Sequence, residues 1–215
     1  MEELIHFDKQ LLLLLNGSDS LFLDSLIMTL TTAQTWIPLY MALFYVVWKA
    51  NRTPREIFFI VAAAGLCVLL AGGVDDEIVK PLVARWRPTH DPEIGSMIDT
   101  VNGYRGGNFG FFSAHAANTF SLAVFFSLLM RHRLFVCFMV GWSLTNCYTR
   151  LYLGVHYPGD ITVGLLWGGF VGWLVYRLYC RVTTPAKYEF RDLLVPVIVL
   201  CLILFFGLIK AFFNS

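Results

Sequence analysis

The most informative spacing in this chain is Thr149-Arg150-x5-His156-x3-Asp160. Arg150 closes one apolar run, His156 stands ahead of Tyr157-Pro158, and Asp160 opens the next run. A cation, an imidazole and a carboxylate at membrane depth are costly unless they pair or act on something. Asp160 has an ordinary alternative as a helix cap. A histidine just ahead of a helix N-terminus also sits where an anion is stabilised. Two other groups belong beside it. Lys80 and Arg87 lie seven apart and are followed by Pro81 and Pro88. Pro81 suits the first turn of a helix, and seven helical residues would return both cations to one face, about 10 Å apart. Taken alone, that pair reads as a basic edge at a membrane interface. Phe112-Ser113-Ala114-His115 stands where another apolar run begins. A lone histidine there is usually structural, but its small neighbours leave backbone N–H groups accessible.

These groups are held by a chain that cannot be water-soluble. Hydrophobic residues make up 57%, mean hydropathy is +0.65, and charged residues are 14%, against about 25% in soluble domains. The net charge of +1 gives no bulk attraction to nucleic acid. Residues 25–48, 57–74, 116–130, 134–149, 161–176 and 193–209 are predicted membrane helices, some relying on their flanks to reach the roughly 20 residues a crossing needs. Threonines and Gln34 dilute the first, which is expected to bend near Pro38 or to enter partway and then span.

Glu2–Leu15 places Leu4, Phe7, Leu11, Leu14 and Leu15 on one helical face and Glu3, Asp8, Lys9 and Gln10 on the other. This predicts an amphipathic helix on the membrane surface within residues 1–20. The expectation is an all-α polytopic bundle forming a single domain over 1–215. Five cysteines without a C-x-x-C pair read as small buried hydrophobes rather than disulfides or a zinc site. The opening Met1-Glu2-Glu3 lacks the basic region of a signal peptide.

The linkers after the first, third and fifth spans carry nine cations against three acids, which predicts that side to be cytoplasmic. Both termini, the linker 75–112 and the short 150–160 connection then lie outside, and all three chemical groups gather there. A transporter would disperse its charges along the spans at midplane.

Lys80-x6-Arg87-Pro88, Ser113-Ala114-His115 and Arg150-x5-His156-x3-Asp160, in this order, resemble the signature of the type 2 phosphatidic acid phosphatase family. That family groups membrane lipid phosphatases with bacterial acid phosphatases and shares its site with vanadium haloperoxidases. The resemblance covers roughly residues 55 to 180. Phe112 and Ala114 stand where the family usually has Pro and Gly, and Thr149 where it has Ser. Ala114 still offers its N–H if its backbone angles are not ones that only glycine tolerates, and Thr149 keeps the hydroxyl.

The resemblance implies a metal-independent hydrolase of a lipid phosphate or diphosphate. Isoprenyl diphosphate, phosphatidylglycerophosphate, phosphatidate and lipid A phosphate are all candidates. Lys80, Arg87 and Arg150 would neutralise the phosphoryl oxygens, with Ser113 and the Ala114 N–H as neutral donors. His156 would attack phosphorus to form a phosphohistidine, with Asp160 holding its other ring proton. His115 would protonate the leaving oxygen and then activate water. Arg105, flanked by glycines, leads the headgroup candidates Arg85, Tyr104 and Asn108. The run Asp75-Asp76-Glu77 reads as a solvated acidic helix end rather than a magnesium site. The implied partners are the lipid substrate and the bilayer; no cofactor is implied, and the oligomeric state is not encoded. A lipid phosphotransferase would use the same phosphoenzyme, whereas a haloperoxidase has no use for six spans.

Overall fold

The computed structural model describes residues 2–214 as a helical bundle. Its helices are α1 (Glu2–Leu15), α2 (Leu21–Thr31), α3 (Ile37–Ala50), α4 (Pro54–Val83), α5 (Ala114–Met130), α6 (Arg133–Tyr152), α7 (Pro158–Val182) and α8 (Phe190–Asn214). Five of the apolar stretches expected to span each fall within one of these helices, and residues 25–48 fall across both α2 and α3. α4, α7 and α8 are each long and apolar enough to cross a membrane. α2 and Ala33–Ala50 qualify together as a pair bent by 69°. α5 is apolar but has 17 residues, and α6 is diluted by Ser143, Thr145 and Asn146.

The bend falls at Thr32, not at Pro38. Proline in a first turn removes only an N–H that has no helical partner, so Pro38 starts α3 without breaking anything. At the break, Thr35 Oγ1 and Trp36 Nε1 donate to the carbonyls of Thr29 and Leu30, at 2.7 and 2.9 Å. α4 also departs from expectation. Instead of ending at the acidic run it continues to Val83, through π-helical turns at Leu69–Gly73 and Asp75–Val79. At 1.5 Å per residue it is roughly 45 Å long. The outer linker therefore begins at Ala84 rather than at residue 75.

α5 and α7 form the tightest pair. Gly164, Gly168 and Gly172 make a stripe on α7, facing Ser113, Ala117 and Ser121 of α5. A Cβ at Gly164 would sit 2.8 Å from the Ser113 carbonyl oxygen, and one at Gly168 would sit 2.9 Å from Ala117 Cα. Small residues at four-residue intervals let the backbones touch. Around this pair, Trp36, Phe125, Phe135 and Trp142 fill a core shared by α3 to α8.

The two ends of the bundle differ. At one, Lys49 pairs with Asp192 at 2.6 Å, Arg131 donates to the Tyr176 hydroxyl at 2.6 Å, and His132 stacks on Phe190. At the other lie α1, residues 84–113 and the turn 153–157. α1 buries Leu12 against Ile94, Ile98 and Tyr157, while Leu4, Phe7 and Leu14 stay exposed. Leu11 and Leu15 are only half-buried, so the expected apolar face is split between the protein and its surroundings. All five cysteines are free; Cys67 and Cys147 are buried, but Cys137, Cys180 and Cys201 face outward, contrary to the reading of all five as core residues.

Candidate active site

His156 is placed by a short turn. α6 ends at Tyr152, and Gly154 takes φ +63°, a left-handed conformation that glycine adopts without strain. Val155 N–H returns to the Arg150 carbonyl at 3.1 Å. His156 thereby sits between the last turn of α6 and the first turn of α7 and is buried. Asp160, in that first turn, accepts the Tyr157 N–H at 2.9 Å, so it is the cap that the sequence allowed.

Arg87 reaches the same place from the linker. The expected common helix face for Lys80 and Arg87 is not formed. Ala84 turns left-handed at φ 48° and ends α4, and Arg87 is extended. The segment is instead pinned to residues 108–110. Arg87 N–H donates to the Asn108 carbonyl and Gly110 N–H to the Arg85 carbonyl, both at 2.9 Å. The Arg87 guanidinium then donates to the carbonyls of Phe109 and Val155 and, at 3.1 Å, to His156 Nε2.

That last contact assigns the imidazole's proton. A guanidinium can only donate, so Nε2 presents its lone pair and the ring proton is on Nδ1. Nδ1 lies 3.6 Å from Asp160 Oδ2, beyond hydrogen-bond length but facing, among the described residues, the only carboxylate paired with it. Burial, followed by the charges of Arg87, Arg150 and Lys80, holds His156 well below its ordinary pKa of 6.5. The neutral ring favoured by that shift keeps one nitrogen unprotonated, its lone pair turned to Arg87.

Arg150 is 2% exposed. It donates to Thr31 Oγ1 at 2.6 Å and to the Tyr104 hydroxyl at 3.1 Å, and its Nε is buried without a partner. Thr149 keeps its hydroxyl within the helix, on the Asn146 carbonyl and beside Thr31. His115, in the first turn of α5, lies within electrostatic reach of Arg150, His156, Arg87 and Lys80. Ser113 caps α5 and is fully buried. Ala114 is an ordinary helical residue, so its unpaired first-turn N–H is available without the conformational freedom of glycine.

Lys80 is engaged differently. Its ammonium is 2.9 Å from Asp75 Oδ2 and also pairs with Asp76. Asp75 is fully buried, which overturns its reading as part of a solvated helix end; only Asp76 and Glu77 are exposed. The physical reason is the π turn, which brings Lys80 over Asp75 at a spacing of five. Asp75 Oδ1 also accepts the Phe112 N–H at 3.0 Å. Phe112, packed between Phe111 and Trp167, is thus held without the family's proline.

The headgroup candidates separate. Arg85 is committed internally, with one nitrogen on Asp8 and one on Asp160, each at 2.7 Å. Tyr104 braces Arg150 by its hydroxyl and by its ring, 5.5 Å away. Arg105 and Asn108 are exposed. Thr31 and Asp75 were missed by sequence reasoning; no local pattern marks either one.

A buried imidazole thus lies beside two guanidiniums that, among the described residues, have no carboxylate partner, at one end of a membrane-helix fold. The chain belongs to the PAP2 superfamily, whose family model matches residues 55–183, and it is a phosphatase. It is 43% identical over 191 residues to the lipid A 4'-phosphatase of Bacteroides thetaiotaomicron, covering 88% of this chain and 84% of the relative. Its identity to the lipid A 4'-phosphatase of Porphyromonas gingivalis is 36% over 182 residues, 83% and 75% of the two chains. It is also 37% identical over 124 residues to the decaprenylphosphoryl-5-phosphoribose phosphatase of Mycobacterium tuberculosis, 58% of this chain and 62% of that one. No solved structure matches it significantly.

Proposed function

We propose that this protein hydrolyses a phosphate monoester on a lipid A-type glycolipid, at the extracytoplasmic face of the membrane, through a phosphohistidine on His156. The observation that carries the reading is the positive charge of Arg87 and Arg150, neither ion-paired with a carboxylate among the described residues, around a neutral His156. Cations withdrawn from water, Arg150 wholly and Arg87 in part, are unfavourable without an ion-pair partner, and a bound phosphate dianion relieves that. Burial and the neighbouring Arg150 lower the pKa of Arg87 from its ordinary 12.5, the sign expected of cations gathered for an anion. The lipid A class of substrate follows the two relatives that match most of this chain.

In the reaction, phosphate displaces Arg87 from His156 Nε2 and takes guanidinium donors from both arginines, with Lys80, Ser113 and the Ala114 N–H completing the cradle. Nε2 attacks phosphorus in line with the leaving sugar oxygen, and Asp160 closes on the Nδ1 proton as the ring becomes positive. His115 gives its proton to the leaving oxygen, then takes one from the water that cleaves the phosphohistidine.

The test is phosphate release from lipid A by purified protein, together with two variants. His156→Ala abolishes turnover of lipid A and of p-nitrophenyl phosphate. His115→Ala spares the first step with p-nitrophenyl phosphate, whose leaving group needs no proton, and gives a nitrophenol burst followed by a stall. A burst in His156→Ala with none in His115→Ala would reverse the two roles.

A further inference from the structure

α1 is joined to the site by its most buried charges. Asp8 Oδ2 accepts from Arg85 Nη2 at 2.7 Å, and Arg85 Nη1 donates to Asp160 Oδ1 at 2.7 Å. Asp8 Oδ1 accepts the Gly159 N–H at 2.7 Å, satisfying a first-turn N–H of α7 that has no helical partner. The Arg85 guanidinium lies 4.1 Å over the Tyr157 ring, and the Arg85 carbonyl holds Gly110. Asp160 consequently has Oδ1 committed to Arg85, while Oδ2 takes Tyr157 N–H and faces His156 Nδ1. The rotation of that carboxylate is set jointly by Arg85 and the Tyr157 N–H, and the rotation of the Arg85 fork is set by Asp8.

We propose that Asp8 of the N-terminal helix is a positioning residue for the nucleophile, acting through Arg85 on Asp160 and so on His156. The amphipathic helix is then a working part of the active site as well as a surface element. This rests on the assignment of His156 and Asp160 given above. Without Asp8, one end of the Arg85 fork is released. Asp160 keeps the Tyr157 N–H on Oδ2 but loses the fixed donor on Oδ1, so its orientation toward the Nδ1 proton, which it stabilises as the ring turns cationic, is loosened. Binding of phosphate by Arg87, Arg150 and Lys80 involves none of these bonds. The defect therefore belongs in kcat rather than KM.

Kinetics of the full-length protein in detergent, with p-nitrophenyl phosphate and with lipid A, read this directly. Asp8→Asn lowers kcat roughly tenfold or more on both substrates, with KM within about twofold, and Asp8→Glu recovers most of the loss. In an Arg85→Gln background, Asp8→Asn adds no further loss, because the path is already cut. Lys9→Gln breaks the neighbouring tie of α1 to Asp91 and Glu93 and leaves kcat unchanged. If Asp8→Asn fails to give a monodisperse protein, Asp8→Ser replaces it, with the same loss in kcat expected alone and no further loss in the Arg85→Gln background.

An unchanged kcat in Asp8→Asn overturns the proposal. So do losses that multiply with Arg85→Gln, or an equal loss in Lys9→Gln, which would mark simple loosening of α1. His156→Ala is measured alongside. If it still turns over, the nucleophile assignment fails; if it is dead while Asp8→Asn is normal, only the role of Asp8 fails.

Discussion

Asp75→Ala removes a carboxylate that holds two parts of the site at once. Oδ1 accepts the Phe112 N–H at 3.0 Å and Oδ2 faces the Lys80 ammonium at 2.9 Å, with no exposure to solvent. Leaving the Phe112 N–H buried and unpaired costs about 1–3 kcal/mol. Losing one partner of a buried ion pair costs about 3–5 kcal/mol when the other charge is stranded. Lys80 is not stranded, because it keeps Asp76, whose side chain is 57% exposed, so this part shrinks to about 1 kcal/mol. The total is about 2–4 kcal/mol, which at about 2–4 °C per kcal/mol lowers Tm by roughly 5–15 °C. Asp75→Asn keeps an oxygen for Phe112 and loses only the charge, so it falls between wild type and Asp75→Ala. Thermal unfolding in one detergent at one scan rate gives the order, since irreversible unfolding makes Tm rate-dependent. Phe112 leads into Ser113 and His115, so kcat of Asp75→Ala drops even well below its Tm. A Tm within about 1 °C of wild type would refute this reasoning, as would Asp75→Asn proving as damaging as Asp75→Ala.

Because His156 is held well below 6.5, its acidic limb in kcat/KM lies below that pH, and Arg87→Gln, which removes a depressing charge, moves the limb upward. The same depression means that unfolded His156 takes a proton that the folded ring resists. Stability is therefore full above 6.5 and falls as pH drops from there toward the folded pKa. Three cations around the phosphate predict activity that survives EDTA and is inhibited by vanadate, and magnesium-dependent recovery after EDTA would overturn the mechanism. For topology, single cysteines at exposed Arg52 and at Glu93, in a background lacking the five native cysteines, are labelled on intact cells by an impermeant reagent. Glu93 reacts and Arg52 does not if the site faces outward.

The helices and the residues that meet around His156 were legible for different reasons. Long apolar runs announce α4, α7 and α8, and a phosphoryl-transfer site needs certain residue types at spacings that survive in the chain as motifs. What escaped was register and tertiary pairing. A spacing of five between Asp75 and Lys80 means nothing at 3.6 residues per turn, and only the π turn makes it a contact. Ala84, not a glycine or asparagine, ends α4 in the left-handed region, so nothing warned that Arg87 would arrive on a loop. Pro38 drew attention away from Thr32, although proline is harmless in a first turn. Arg85 looked like a headgroup reader because its acids, Asp8 and Asp160, are 77 and 75 residues away. Thr31 and Tyr104 reach Arg150 from 119 and 46 residues away.

The glycine stripe of α7 bears on how such a site can diversify. With Gly164, Gly168 and Gly172 against the backbone of α5, the helix carrying His115 and the helix that starts just after His156 have no side-chain layer between them to thin or thicken. Their separation works as a caliper closed to its stop, and a methyl group at Gly168 would force it open. Mutation then cannot tune the gap between the two histidines in small steps, since nearly every change at the seam is large. Adaptation to a new headgroup is channelled to the rim, where exposed residues such as Arg105 and Asn108 can vary without disturbing the spacing of the two histidines. A lineage built on this seam would change what it dephosphorylates far more readily than how.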